Sequence, residues 1–325
     1  MTIAPYLARI GRGRDGARAL DRAQAADLMG QVLDGEATDL EIGAFCAAMR
    51  IKGETPDEMA GFLDAVRARM QTVDDAGTVP VVLPSYNGAR RLPVLTPLLA
   101  LALAARGLPV LVHGMRTEDT RVHAFEVFAR LGIGGAAPPT LPTPTPTPTP
   151  PRAPKLAPGR VTCVATRTLL PALGDLLDVR RVVGLRNPAH SLVKLLNPCA
   201  GRALVVGCHT HPEYAVSMAG IFARIGADAM LLRGTEGEPV ADARRMPALD
   251  AFIAGARIAL ESAQRGTLHT LPDLPAADPD ATAHYVRAVL AGDAPMPEPI
   301  AAQVDHLVAL HRQVVASAAT GAVCA

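Results

Sequence analysis

Val79-Pro-Val-Val-Leu-Pro-Ser-Tyr-Asn-Gly-Ala-Arg-Arg91 leads a short β-branched run into the apolar run VLTPLLALALAA over 94–105. The first reads as a buried strand over 79–83 and the second as a buried helix, each bounded by turn residues. Asn87-Gly88 tolerates positive φ and centres the turn between them. A strand, a turn and a helix start together make an anion site, because the N–H groups of a helix's first turn have no intrahelical partner. A phosphate cradle normally uses several glycines. Here Gly88 stands alone, Pro84 lacks an N–H, Tyr86 is bulky and Arg90-Arg91 follow directly. The stretch predicts a loop that attracts an anion but is poorly built to wrap one.

The 325 residues are 49% apolar, ample for a large core and most simply divided into two domains. No run approaches the roughly 18 to 20 apolar residues of a membrane span. In MTIAPYLARIGRGR the arginines follow the short apolar run, the reverse of a secretory signal. Cys46, Cys163, Cys199, Cys208 and Cys324 are scattered in no metal spacing, which points to a reducing, cytoplasmic setting. A net charge of +1 argues against a uniformly basic nucleic-acid binder but leaves room for local clusters. Of the 32 basic residues only Lys52, Lys155 and Lys194 are lysine, and arginine is the better bidentate phosphate ligand.

Residues 1–70 read as helices. Asp21 caps 22–33 and Asp39 caps 40–51. Thr55, Pro56 and Glu58 form a capping-box start for 57–70, whose Met59, Phe62, Leu63 and Val66 fall at helical spacing. Arg9, Arg12, Arg14 and Arg18 form a secondary basic cluster. Further on, strand-like runs over 109–112, 161–165, 203–206 and 229–232 alternate with helical runs over 121–131, 169–177 and 212–225. That alternation implies an α/β domain with a mainly parallel central sheet. Sites in such sheets lie beyond the carboxyl ends of the strands, here in the loops after Leu83, Val112, Val206 and Leu232. The spans 250–264 and 281–290 read as two more helices. The Pro/Thr-rich stretch 138–158 reads as an extended surface loop, since alternating proline forbids helix and sheet pairing. His209-Thr-His211-Pro-Glu213 holds possible metal ligands but reads better as a strand end and a helix capped at Thr210.

The run LDGEATDLEIGAFCAAMRIKGETPDEMAGFLDAVR (33–67) resembles the N-terminal helical domain of the anthranilate phosphoribosyltransferase family, which shares its fold with the pyrimidine nucleoside phosphorylases. The resemblance continues through VLVHGMR (110–116), VVGLRNPAHSLVKLLNP (182–198) and LLRGTEGE (231–238). IGRGRDGARALDR, PSYNGARR and RNPAHSL are similar to the divergent YbiB branch, regarded as nucleic-acid-binding proteins. The resemblance implies a small all-helical domain (1–72 and about 166–200) on a larger α/β domain (73–165 and 201–325). It also implies pairing into a homodimer through the helical domain, where the 57–70 stripe is the expected contact.

The same resemblance shows what chemistry has been lost. The family's phosphate loop reads Gly-Thr-Gly-Gly-Asp where this chain has Pro84-Ser-Tyr-Asn-Gly88. Its metal-binding Asp-Glu pair is replaced by Pro239-Val240, and its Lys-His-Gly-Asn-Arg motif by Val112-His-Gly-Met-Arg116. What remains is a cationic rim: Ser85, Asn87, Gly88, Arg90, Arg91, His113, Arg116, Arg121, Arg186, His190 and Lys194. Its expected partner is the phosphate backbone of DNA or RNA, bound without sequence preference, with no cofactor, no metal and no membrane. The alternatives are an active glycosyl or phosphoribosyl transferase with an altered substrate, and a small-anion sensor.

Overall fold

Three reciprocal capping boxes set the N-terminal helices in this computed structural model, which describes residues 2–133, 154–268 and 271–321. Most of the Pro/Thr-rich stretch, and Cys324, lie outside the described residues. The helices are α1 (Ala4–Ile10), α2 (Gly13–Gly16), α3 (Arg22–Leu33), α4 (Asp39–Lys52) and α5 (Pro56–Arg67). Asp21, Thr38 and Thr55 each accept the third helical N–H, and Gln24, Glu41 and Glu58 reach back to the cap. Thr38 therefore caps α4 in place of the expected Asp39. Thr38 has the extended backbone a cap requires, and Asp39 is the first helical residue.

The stripe Met59, Phe62, Leu63 and Val66 on α5 is buried within the chain against α3. It is consumed by the fold and is not available to a second copy. Glu58 is fully buried beside it, where it accepts Leu20 N–H at 2.9 Å, Thr55 N–H at 2.9 Å and Lys52 Nζ at 2.6 Å. One carboxylate thus ties the entry of α3, the end of α4 and the start of α5.

The rest of the chain runs β1 (Val81–Ser85), α6 (Thr96–Ala105), β2 (Val110–Gly114), α7 (Ala124–Arg130), β3 (Val161–Ala165), α8 (Thr166–Leu169), α9 (Pro171–Val183) and α10 (Ala189–Leu192). Then come β4 (Leu204–His209), α11 (Pro212–Arg224), β5 (Asp228–Arg233), β6 (Leu249–Ile253), β7 (Ala256–Glu261), α12 (Pro279–Ala291) and α13 (Glu298–Gly321). The seven strands lie in the order β3-β2-β1-β4-β5-β6-β7. The first five are parallel, and β6 and β7 are antiparallel. The fold is a helical bundle domain on an α/β domain with a mostly parallel sheet.

Alternate strand residues face opposite layers. Val81, Leu83, Val110, Val112, Leu204 and Val206 share a core with α6, α7, α12 and α13. Val82, Leu111 and Val205 point the other way, toward Val73, Leu156 and Val164. Leu173, Leu176 and Leu177 of α9 and Leu192 of α10 bury in the same core as α3 and α5, and Phe222 of α11 joins them from above the sheet.

The expected helix over 250–264 is a hairpin. Ala254 (φ 47°) and Gly255 (φ 83°) are the two turn residues between β6 and β7, and consecutive positive φ values suit a two-residue primed turn. The alanines favoured a helix locally, but pairing of β6 with the edge of β5 decides the outcome. Helix α13 was not expected; Ile300, Val304 and Leu307 bury against α6.

Replacing Glu58 by alanine would strand Lys52 and leave the Leu20 amide without its acceptor. The expected loss is about 3 kcal/mol or more, since breaking a buried pair leaves the surviving partner uncompensated. Urea unfolding followed by circular dichroism measures it; a change under about 1 kcal/mol would show that water replaces the carboxylate.

Candidate anion-binding site

Strand β1 ends at Ser85, and Gly88 turns the chain with φ +62°; a β-carbon there would sit 2.7 Å from the Val122 carbonyl oxygen. Gly88 is thus required by both conformation and space. Tyr86 folds inward. Its hydroxyl meets His113 Nδ1 at 2.8 Å and Thr166 Oγ1 at 2.7 Å, so both rings are buried behind the loop. Burial pushes the Tyr86 phenol up and carries His113 down to about 3.

Across the switch point of the sheet, β5 runs into Gly234 and a short 3-10 turn, Thr235–Gly237. This turn lays two carboxylates onto the β1–α6 loop. Glu238, 1% exposed, accepts Asn87 N–H at 2.8 Å, Gly88 N–H at 2.7 Å, Thr96 Oγ1 at 3.0 Å and the Ser85 hydroxyl. Glu236 accepts Arg91 N–H at 2.9 Å, Leu92 N–H at 3.0 Å and Arg90 N–H at 3.3 Å, and pairs with Arg121 at 3.5 Å. The polar groups of Ser85 and Gly88, and the Asn87 amide N–H, were expected to meet phosphate. They are spent on Glu238 instead.

Beside this loop, at the carboxyl ends of β1, β4 and β5, a cavity of about 1150 Å³ opens between the sheet and the helical bundle. Asn87, Arg90, Arg91, Arg121, Arg186, His190 and Lys194 line it, so the fold gathers these expected residues around one space. Four others do not line it. Ser85 and Gly88 lie beneath Glu238, His113 is enclosed behind Tyr86, and Arg116 pairs with Glu126 at 3.1 Å and Asp119 at 3.6 Å. The sequence reading missed Arg50, Arg233 and Arg244, which also line the cavity. A signal for Arg233 existed, since it heads the RGTEGE run; Arg50, from α4, is brought in only by domain packing.

These cations differ in how far they are already satisfied. Arg121 and Arg186 share Glu118 with Arg180, at 3.3, 3.2 and 2.7 Å. Burial raises the Glu118 carboxyl, but Arg180, Arg121 and Arg186 outweigh it and hold it down at about 2. Lys194 donates to the Gly237 carbonyl at 3.1 Å, and Arg50 to the Tyr214 hydroxyl at 3.1 Å. Arg90, Arg91 and Arg233 are exposed, and among the described residues no carboxylate lies within ion-pair distance of their guanidinium groups. Burial raises the Asp242 carboxyl, but Arg244 and, in smaller part, the charge of Arg233 hold it down. His190 Nε2 is buried in the cavity wall without a partner. Desolvation, with Arg186, Arg180 and Lys194 nearby, takes His190 down to about 3.

The second basic cluster lies elsewhere. Arg9, Arg12 and Arg18 are not cavity residues, and Arg12 and Arg18 donate to nearby backbone carbonyls; the side chain of Arg14 lies outside the described residues. His211, not the expected Thr210, is the residue before α11. Among the described residues no group of three or more His, Cys, Asp or Glu side chains is arranged to hold a metal ion.

Magnesium and a pyrophosphate-bearing sugar, which the family resemblance implies, do not fit the residues present. The loop's donors already serve Glu238 and Glu236. Val240, in the metal-ligand position, is buried in the core.

A helical bundle on a mostly parallel sheet, with its pocket at the strand ends and the switch point, is the architecture of the glycosyl-transferase fold class. Residues 4–70 match the helical bundle domain of the glycosyl transferase family. The chain is 31% identical over 307 residues to the anthranilate phosphoribosyltransferase of Methylobacterium nodulans, covering 90% of this chain and 83% of that one. It belongs to the anthranilate phosphoribosyltransferase family. It is 38% identical over 308 residues to the uncharacterized protein YbiB of Escherichia coli (strain K12), covering 94% and 92% of the two chains. The anthranilate phosphoribosyltransferase of Thermus thermophilus shares the fold, with a TM-score of 0.66 at 22% identity over 92% of each chain. So does that of Saccharomyces cerevisiae in complex with PRPP and Mg, with a TM-score of 0.67 at 16% identity over 96% and 89%.

His113 and His190 make a pH prediction. Both are held neutral in the folded state at pH values where an unfolded histidine, near 6.5, takes a proton. Their depressed values stabilise the fold above about pH 6.5, and that stability is lost as pH falls toward 3. Between pH 7 and 5 each should cost about 2 kcal/mol. Paired carboxylates such as Glu118 remain ionised over that window. The melting temperature should therefore fall from pH 7 to 5, and His190→Gln should flatten the fall. Parallel pH profiles for the variant and wild type would remove His190 from the account.

Proposed function

We propose that the chain binds nucleic acid through its phosphates, without reading base sequence, at the mouth of the cationic cavity. The observation that carries this reading is the set of exposed guanidinium groups, Arg90, Arg91 and Arg233, without carboxylate partners among the described residues. Arg50, Arg121, Arg186, Arg244 and Lys194 line the same cavity, against the carboxylates Glu54, Glu213 and Glu236. A local excess of cations on a chain of net charge +1 is suited to a polyanion. Base stacking is confined to Tyr214, the tyrosine that lines the cavity, because Tyr86 is buried and the chain has no tryptophan. Transferase chemistry with the family's substrate would need the β1–α6 loop for pyrophosphate, and Glu238 and Glu236 hold its donors.

Oligonucleotide affinity should fall linearly on a log–log salt plot, with a slope of about −0.9 per duplex phosphate neutralised. Arg90→Ala with Arg91→Ala should weaken all sequences alike and flatten the slope by about 1 to 2. Wild-type binding by the double variant would move the site away from this rim. Competition by inorganic phosphate as strong as by the oligonucleotide, per phosphate, would favour a small-anion sensor.

We infer further that two copies pair through the outer face of α4. Leu40 is 85% exposed and Ile51 75% exposed; with Ala44 and Ala47 they fall on one helical face. Pairing there would set two cationic cavities on one particle. Light scattering at micromolar concentration should give twice the chain mass, and Leu40→Glu with Ile51→Glu should halve it; a wild-type monomer would overturn the pairing. Cys46, Cys163, Cys199 and Cys208 are free thiols, which supports a reducing, cytoplasmic setting.

A further inference from the structure

We propose that Glu238 is a built-in ligand of the β1–α6 turn, so that an intact anion cradle exists in this chain and is closed to small oxyanions by the chain's own carboxylate. The inference stands apart from the nucleic-acid reading, which concerns side chains around the cavity.

The cradle is complete. Glu238 Oε1 takes the N–H groups of Asn87 and Gly88, and Oε2 takes the hydroxyls of Ser85 and Thr96. Glu236 takes the N–H groups of Arg90, Arg91 and Leu92, while Ala89 N–H donates to the Val122 carbonyl at 2.8 Å. From Asn87 to Leu92 every backbone N–H is therefore committed. Two N–H groups and two hydroxyls converging on one carboxylate form the donor set that a phosphate oxygen or a pyrophosphate terminus would use. A dianion entering beside Glu238 and Glu236 would find no free backbone N–H in the turn and would face two negative charges.

The loop that delivers the carboxylates is pinned independently of them. Gly237 has φ +90° and lies so close to Asn87 that a β-carbon would overlap the side-chain amide. Its carbonyl receives Lys194 Nζ at 3.1 Å and Cys208 Sγ at 2.9 Å. Thr235 N–H donates to the Val240 carbonyl at 2.9 Å. Shortening Glu238 should therefore empty the cradle without releasing the loop.

Asn87-Gly88 is the sole Asn-Gly pair in the sequence. Carbonyl-13C asparagine with 15N glycine therefore gives one amide signal that reports on Gly88. Titrated with magnesium pyrophosphate, the wild-type signal should stay in place at millimolar concentration. In Glu238→Ala it should shift saturably, with affinity gained on the order of tenfold or more. A saturable shift in the wild type would overturn the proposal, as would no shift in the folded alanine variant. Should that variant fail to fold, Glu238→Gln provides the second reading. A charged acceptor holds the amide proton downfield, so Gly88 should move upfield in Glu238→Gln, and an unmoved signal would overturn the proposal. A labelled oligonucleotide titrated into the same samples tests the cavity separately, and its failure to bind would leave the Gly88 result intact.

Discussion

The carboxylate of Glu238 joins the two halves of the sheet at their switch point. A buried charge of this kind survives only if donors replace its lost water. Hydrogen bonds to a charged group contribute about 1.5 to 3 kcal/mol each, and Glu238 receives four of them. Those four hold the end of β1, the turn at Gly88 and the start of α6 against the segment after β5. From the same segment Glu236 holds the Arg90–Arg91 backbone, and so the cavity rim.

With the loop's own anion supplied from within, what distinguishes the cavity is the state of its cations. Arg121, Arg180 and Arg186 share the single charge of Glu118, which stays ionised far below neutral pH. Lys194 is turned onto the Gly237 carbonyl. Among the described residues Arg90, Arg91 and Arg233 have no carboxylate within ion-pair distance, because only their backbones take part in the fold's interior bonds. Buried His190 stays neutral beside Arg186, Arg180 and Lys194, since a further positive charge there would be both desolvated and repelled. Positioning and binding roles are thus divided between carboxylate-held and free arginines.

Much of the fold was legible because its causes are local. Thr55, Pro56 and Glu58 announce the start of α5 within four residues, and Asn87-Gly88 announces a turn after β1. The alternation of short apolar strands and helices gave the parallel sheet. Where local preference and long-range pairing compete, the sequence misleads. The alanine-rich stretch 250–264 has helical composition, yet β6 pairs with β5 and the Ala254–Gly255 turn closes a hairpin. Thr38 outranks Asp39 as a cap because Glu41, three residues on, completes a capping box with it, the same Thr-x-x-Glu pattern that starts α5.

The site shows the same division more sharply. The sequence by itself determined that a turn leading into a helix start follows β1, that arginines flank it, and that the family's metal carboxylates are replaced by Pro239 and Val240. It could not say which groups face the solvent. Tyr86 points inward because Thr166, reached only through the parallel crossover, and His113 both meet its hydroxyl. Glu238 fills the turn although it stands 151 residues from Asn87. Only the tertiary structure decided that the loop's anion is its own, because a hydrogen bond depends on distance in space and the sequence records only distance along the chain.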